Sequence, residues 1–453
     1  MKYLAFDIGA REVKAALAER SNGYLGITKV QSFRVNLRKD EGHLIWPIDE
    51  IFAGIVEAIR ISGPVDFISM DSFASDFVLL DEEDRIIGGA VSYMDERTRR
   101  VTDLPDEAWI FSRTGMCSRH NTTLYQLLSL KEEEPEVLNR AVSLMFLPDY
   151  LNFLLTGIKM TSRSMALTSA LVNAESLTWD DEIIGKLGFN RALFSEITAD
   201  GEIVGALKDE IAKEVGYETR IILSGHDTSL AYLSSPMDEE TLMLSLGGFA
   251  RMGALADSPM LSDSVMNAKL SNAVIYGGQH VLSRYLMGTY LIQALKERMK
   301  EGTSYDEIMR RARAIHTAKA VDIHTIDFEE KNVFESINLS LEKDGRSPAQ
   351  DEFEAASIVY SSLVEYYVNE IKVFEDVLGR KISRIALVGG AVRDQYLALL
   401  LAMKSEREVV SGAYDAALIG NLILQMISQG EMNFEEKDEE LRKAIGRTIY
   451  RLQ

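Results

Sequence analysis

Short apolar runs that break on glycine or aspartate recur along the chain, and stretches with apolar residues at helical spacing lie between them. Residues 3–6 are apolar, Asp7-Ile8-Gly9-Ala10 reads as a turn, and residues 13–18 resume an extended pattern, which predicts strand, tight glycine turn and second strand. The same unit recurs at residues 241–255 around Gly247-Gly248, and a similar one spans residues 67–81, where Asp71 and Asp76 bracket the turn. Two such hairpins half a chain apart predict two related domains, each opening with one. Residues 48–59 and 124–131 are spaced as helices, and residues 355–378 form a long amphipathic pattern. The polar, proline-containing break Ser234-Ser235-Pro236-Met237-Asp238 sets the boundary, giving an α/β chain of two domains, 1–235 and 236–453.

Within this frame, residues 220–223 are a strand-type run that ends in Ser224-Gly225-His226-Asp227, and a second apolar stretch follows at once. Ligands of open α/β sheets bind outside the carboxyl ends of the strands, so Asp227 is a candidate site carboxylate and His226 adds a polar group beside it. An aspartate after a strand also commonly caps the next helix, and on local sequence both readings hold. In the first hairpin, backbone N–H groups suit a phosphate and Asp7 a metal ion held by that phosphate. In the second half, the buried-type strand 384–388 runs into Gly389-Gly390, a way to bring backbone close to a nucleotide. Residues 416–421 open a small-residue helix that allows close approach of a flat ligand or a neighbouring helix.

Composition narrows the partners. A length of 453 residues suits two or three domains, and the net charge of -21 with a pI near 4.9 argues against duplex nucleic acid. Cys117 is the single cysteine, so neither an intrachain disulfide nor a thiolate zinc site is expected. With no apolar stretch long enough to span a membrane, a cytoplasmic protein is expected. Residues 433–443 read as a solvated charged helix.

Taken in order, these pieces resemble the FGGY carbohydrate kinases, whose fold is two actin-like ATPase (ribonuclease H-like) domains with a cleft between them. The resemblance runs over nearly the whole chain. Asp7-Ile8-Gly9 is similar to the first phosphate hairpin of that family, residues 245–253 to the second, Gly389-Gly390 with residues 416–421 to the adenosine site, and residues 224–228 to the segment with the catalytic aspartate. The finer resemblance is to the rhamnulokinase subgroup, carried by residues 42–49, 92–98, 124–127, 147–152 and 154–157, and by Leu286-Met287-Gly288 with Gln293.

The resemblance implies transfer of the γ-phosphoryl group of ATP to a ketose hydroxyl, L-rhamnulose before others, with Asp227 as general base. It implies His226, Asp71, Ala74 and Tyr285 at the sugar, and Gly9, Ala10, Gly247, Gly248, Gln293, Gly389, Gly390 and Asn421 at the nucleotide. Asp7 is implied at Mg2+, and the chain is expected to work as a monomer or homodimer. Departures accompany the match. Gly248 stands where the family carries threonine, Glu12 follows the first hairpin, Tyr285 replaces an asparagine, and Phe73 replaces a tryptophan. Two other readings stay open: a kinase for another sugar such as fuculose, xylulose or a polyol, and a family member that binds sugar without efficient turnover.

Overall fold

The computed structural model describes residues 1–21, 24–117, 119–326 and 332–451. The chain forms two compact units, Met1–Ser234 with Ala256–Leu282 and Ala417–Ile445, and Ser235–Leu255 with Ser283–Ala416 and Gly446–Gln453. The chain first changes unit between Ser234 and Ser235, at the polar break, and two later segments count with the first unit.

The first unit is built on a six-stranded sheet in the order Ile203–Ala206, Arg220–Ile222, Phe67–Ser72, Lys2–Ile8, Glu12–Ser21, Tyr24–Arg34. Its centre is parallel: Phe67–Ser72 pairs in parallel with both Lys2–Ile8 and Arg220–Ile222, so three carboxyl ends lie side by side. Central parallel strands are covered on both faces, which is why Tyr3, Leu4, Ala5 and Phe6 form an unbroken apolar run and why these, with Ile68, Met70 and Ile221, are fully buried. Helix Ile48–Ser62 buries Ile51, Ile55, Val56, Ala58 and Ile59, carries Asp49 and Glu50 in its first turn, and stops at Gly63 with φ 71°.

Residues 67–81 are not the hairpin that the pattern predicts. Phe67–Ser72 stays in the six-stranded sheet, whereas Phe77–Leu80 joins Ile86–Ile87 and Ser143–Phe146 in a separate three-stranded sheet. The chain changes sheet over four residues that include Ser75 at φ 81°, a left-handed conformation that period-two patterning does not reveal. A second core, with Phe77, Leu79, Phe146, Leu124, Leu127 and Trp179, packs around the smaller sheet.

In the second unit, the hairpin Thr241–Leu246 and Phe249–Ala256 pairs antiparallel, and Thr241–Leu246 lies parallel to Arg384–Val388. Glu408–Ser411 and Ile449–Tyr450 extend this side, and His280–Met287 lies beside Phe249–Ala256 on the other. Helix Glu352–Leu378 is started by Asp351, whose carboxylate accepts from Phe353 N and Glu354 N, and ends at Gly379 with φ 66°. Among the described residues no helix is long and apolar enough to cross a membrane.

Candidate active site

The parallel centre of the first sheet brings the predicted acids to one edge. Asp7 and Asp71 are register partners on neighbouring strands, and Ser72 forms a bridge with His226, the residue before Asp227. Gly9 N–H donates to Glu12 O at 3.0 Å and closes the first hairpin. A Cβ at Gly9 would stand 2.9 Å from that same oxygen, which is why the turn takes glycine. Lys14 Nζ lies 3.9 Å from Asp7 Oδ2.

Asp71 has no exposed surface, and burial together with the charge of Asp7 raises its carboxyl well above the usual range, against the hydrogen bond from Asn421; the charge of Asp227 adds to the rise. Asn421 Nδ2 donates to Asp71 Oδ2 at 2.7 Å and to Phe6 O at 3.4 Å. Among the described residues, Asp71 Oδ1, Ser72 Oγ and Ser224 Oγ are buried without a hydrogen-bond partner. Orphaned polar atoms at one sheet edge are the mark of a place where solvent or a ligand completes the set.

Asp227 opens helix Asp227–Leu233 and is 35% exposed. Its Oδ1 accepts from Thr228 Oγ1 at 3.0 Å and lies 3.3 Å from His226 Nε2. His226 itself is buried, and its backbone N–H donates to Ser164 Oγ at 2.9 Å. Gly225 makes that contact possible, since a Cβ there would meet Ser164 Oγ at 2.3 Å and Ser162 Oγ at 2.7 Å. Behind the serines sit two acids, Asp149 buried and Asp200 half-buried. Burial pushes Asp200 up to about 6 against the Ser164 hydrogen bonds, and burial raises Asp149 well above its usual range although Ser162 N donates to it at 3.1 Å.

Ala74 lies on the crossing between the two sheets of the first unit, after Phe73, whose ring packs at 4.7 Å on Trp46 and 5.4 Å on Tyr93. Beneath this aromatic group is a relay absent from the sequence-based candidates. Trp46 Nε1 donates to Asp76 Oδ2 at 2.6 Å, Gln126 Nε2 to Asp76 Oδ1 at 2.8 Å, and Arg97 Nη2 to Gln126 Oε1 at 2.8 Å. Burial raises Asp76 to about 6. The signal was present: Trp46, Arg97 and Gln126 each fall in one of the segments on which the subgroup resemblance rests.

The second unit gathers its own candidates. Gly247 N–H donates to Phe249 O at 3.0 Å, and the turn after His280–Met287 packs on the hairpin, with Thr289 N–H and Oγ1 both donating to Gly247 O at 2.9 Å. The Gln293 amide lies 3.7 Å from where a Gly248 Cβ would stand. Gly389 has φ 85°, and a Cβ on it would stand 2.9 Å from Leu246 O, so Gly389-Gly390 is held directly against the hairpin strand. Tyr285, 39% exposed, covers the Arg251 guanidinium at 4.1 Å. Thus Gly247, Gly248, Gln293, Gly389 and Gly390 share the second unit. Gly9 and Ala10 lie in the first, as does Asn421, whose side chain donates to Asp71.

A profile for the N-terminal domain of the FGGY family of carbohydrate kinases matches residues 2–234. The chain is 32% identical to a rhamnulokinase of Halalkalibacterium halodurans over 98% of its own length and 96% of that protein's. It is 30% identical to a rhamnulokinase of Oceanobacillus iheyensis over 97% and 96%. Among solved structures, a ligand-bound xylulose kinase from Lactobacillus acidophilus superposes with a TM-score of 0.82 at 18% identity, covering 100% of this chain and 94% of that one. Plasmodium falciparum glycerol kinase with ADP gives 0.79 at 12%, with the same coverage. At these identities the structures speak to fold alone, and they agree with the two-domain, actin-like ATPase architecture.

Proposed function

Because the chain belongs to the FGGY family of carbohydrate kinases, we propose that it transfers the γ-phosphoryl group of ATP to a hydroxyl of L-rhamnulose, with Asp227 as general base. The observation that carries this reading is the register of three carboxyl strand ends, which sets Asp7 beside Asp71 and Ser72 beside His226, with the half-exposed Asp227 next in the chain. The rhamnulokinase relatives, aligned over nearly their full length, favour L-rhamnulose among sugars. Phosphoryl transfer asks for in-line positioning and charge neutralisation more than for covalent chemistry, so one base and oriented donors suffice.

In this mechanism Asp227 accepts the proton of the sugar hydroxyl as its oxygen attacks phosphorus. His226, against Asp227 Oδ1, orients the carboxylate and meets the sugar. Ala74 offers backbone to the sugar from a loop fixed by the aromatic packing of Phe73. Asp71 keeps its place through Asn421. With the Gly9 and Gly247 N–H groups closing the two hairpins, the Ala10 and Gly248 N–H groups are the turn donors for phosphate oxygens, and Gly389-Gly390 with Gln293 borders the nucleotide.

Family members use a divalent ion with ATP, and the acids present fit Mg2+. That ion takes one or two carboxylates and completes its shell with phosphate oxygens and water. Asp7 and Asp71 form such a pair, Asp71 Oδ1 is an orphaned acceptor, and a cation relieves the mutual repulsion of the acids. Asp7 and Asp71 would hold the ion, which supplies charge neutralisation at the transferring phosphoryl group. We further propose a cytoplasmic enzyme, monomeric or homodimeric.

The test is ADP release from MgATP over a panel of ketoses and polyols including L-rhamnulose, with Asp227→Asn in parallel. Sugar-dependent release with L-rhamnulose, lost in the variant while the folded midpoint is kept, is the expected result. Undiminished turnover by Asp227→Asn would remove the base assignment. A second reading, a kinase for another ketose or polyol, draws on Tyr285 and Phe73 at positions where the subgroup carries other residues, and strong release with a different sugar in the same panel would establish it.

A further inference from the structure

Arg251 is 9% exposed on Phe249–Ala256, three residues past the Gly247-Gly248 turn. Its contacts are with neutral groups: Nη2 donates to Ser283 Oγ at 2.8 Å, and the Tyr285 ring covers the guanidinium face at 4.1 Å. Its Nε is buried with no acceptor. Among the described residues no carboxylate lies within ion-pair reach of it, in a chain with 70 acidic residues against 49 basic ones. The contrast with the buried Arg97 and the half-buried Arg407 is direct. Arg97 sits in the field of Asp76 and Asp95, and Arg407 donates to Glu375 at 2.8 Å. A desolvated guanidinium without a counter-ion is costly, and buried charges are as a rule paired.

The strand geometry says where the counter-ion belongs. Side chains alternate along a strand, so Arg251 shares a face with Phe249, which is 60% exposed and stacks on Tyr290, while Ala250 and Met252 point into the core. Ser245 is the register partner of Arg251, and directly opposed residues project to the same face. Ser283 comes from the strand on the other side. A row of hydroxyl, guanidinium and hydroxyl thus runs over three adjacent strands behind a glycine turn whose neighbour is Gln293. Stacking uses the face of a guanidinium and leaves its edge N–H fork for an in-plane acceptor, the geometry of a phosphate contact.

We propose that Arg251 takes a phosphate group of the bound nucleotide as its counter-ion, with Ser245 and Ser283 beside it. This deepens the kinase reading above and rests on it. It also gives the second hairpin a positive charge at a place where Gly248 offers backbone alone.

The test uses the full-length protein and calorimetric titration with ATP, adenosine and inorganic phosphate. Arg251→Gln removes the charge yet can still donate to Ser283, and Arg251→Met serves as a second variant with a similar apolar stem. Weakening of ATP binding by about 10- to 100-fold in either variant, with adenosine affinity within about twofold of wild type, is expected for loss of a charge-assisted phosphate contact. The salt dependence of ATP binding should flatten in parallel, and phosphate that binds wild type weakly should no longer bind. Equal weakening of ATP and adenosine would mean a structural role and overturn the proposal, as would ATP binding that neither variant changes. Failure of the wild-type chain to bind ATP at all would instead sink the kinase reading, so the two failures are told apart.

Discussion

Gly420 is the position at which one added carbon tests how the site is held. In helix Ala416–Ser428 it faces helix Asp227–Leu233, and a Cβ on it would stand 1.9 Å from Leu230 O, 2.5 Å from Leu230 C and 3.0 Å from Leu230 Cα. These are backbone atoms, so no side chain can swing aside. To reach an ordinary contact the helix that begins at Asp227 must retreat by about 1.5 Å, and Asn421, which holds Asp71, is drawn the other way. Two effects of opposite sign compete in Gly420→Ala. Helix propensity favours alanine by about 1 kcal/mol, whereas overpacking a dense contact costs about 1–3 kcal/mol. Contact wins because backbone meets backbone, so the variant should lose up to about 2 kcal/mol in urea denaturation. Its kcat at saturating MgATP and sugar should fall by up to about 100-fold, the scale expected when a reacting group is displaced by about 1 Å. A variant with a raised midpoint and unchanged kcat would refute the reasoning, since propensity alone would then account for it.

Ser164→Ala removes the acceptor of the His226 N–H and a donor to Asp200, so a stability loss of about 1–3 kcal/mol and a lower kcat are expected, by denaturation and steady-state kinetics. Asp76 has a folded pKa of about 6, above its unfolded value of 3.8, so it favours the native state fully below pH 4 and loses that contribution as pH rises to 6. Relative to Asp76→Asn, the wild type should therefore lose on the order of 2–3 kcal/mol between pH 4 and 6, and a flat difference over that window would refute the assignment.

The parts of the fold that were legible in the chain are those where one local rule acts. Helices Ile48–Ser62 and Glu352–Leu378 follow apolar spacing, and the turns at Gly9 and Gly247 follow glycine between extended runs. What stayed hidden depends on contacts between distant segments. Nothing local to residues 67–81 says that the chain leaves one sheet for another, because both strands carry the same buried pattern and the change rests on Ser75 at φ 81°. The ring of Asp76 partners is assembled from Trp46, Tyr93 and Gln126, up to 50 residues away, and a hydrogen bond across that separation has no periodicity to read.

Asn421 is the sharper lesson. Small residues around it are compatible with a flat ligand or a neighbouring helix, and local sequence alone leans slightly to the helix whereas the resemblance implies the nucleotide. Leu230 O against Gly420 shows a neighbouring helix at that position, and the amide at the next one reaches Asp71 on a strand 350 residues away. The same argument runs the other way for Arg251. An arginine on a strand looks like an exposed-face residue until its surroundings prove to be serine and tyrosine, and then its charge, unanswered by any described carboxylate, becomes informative. Burial converts an ordinary side chain into a question about its partner: at Asp71 the fold itself answers with an amide, and at Arg251 the answer is left to a ligand.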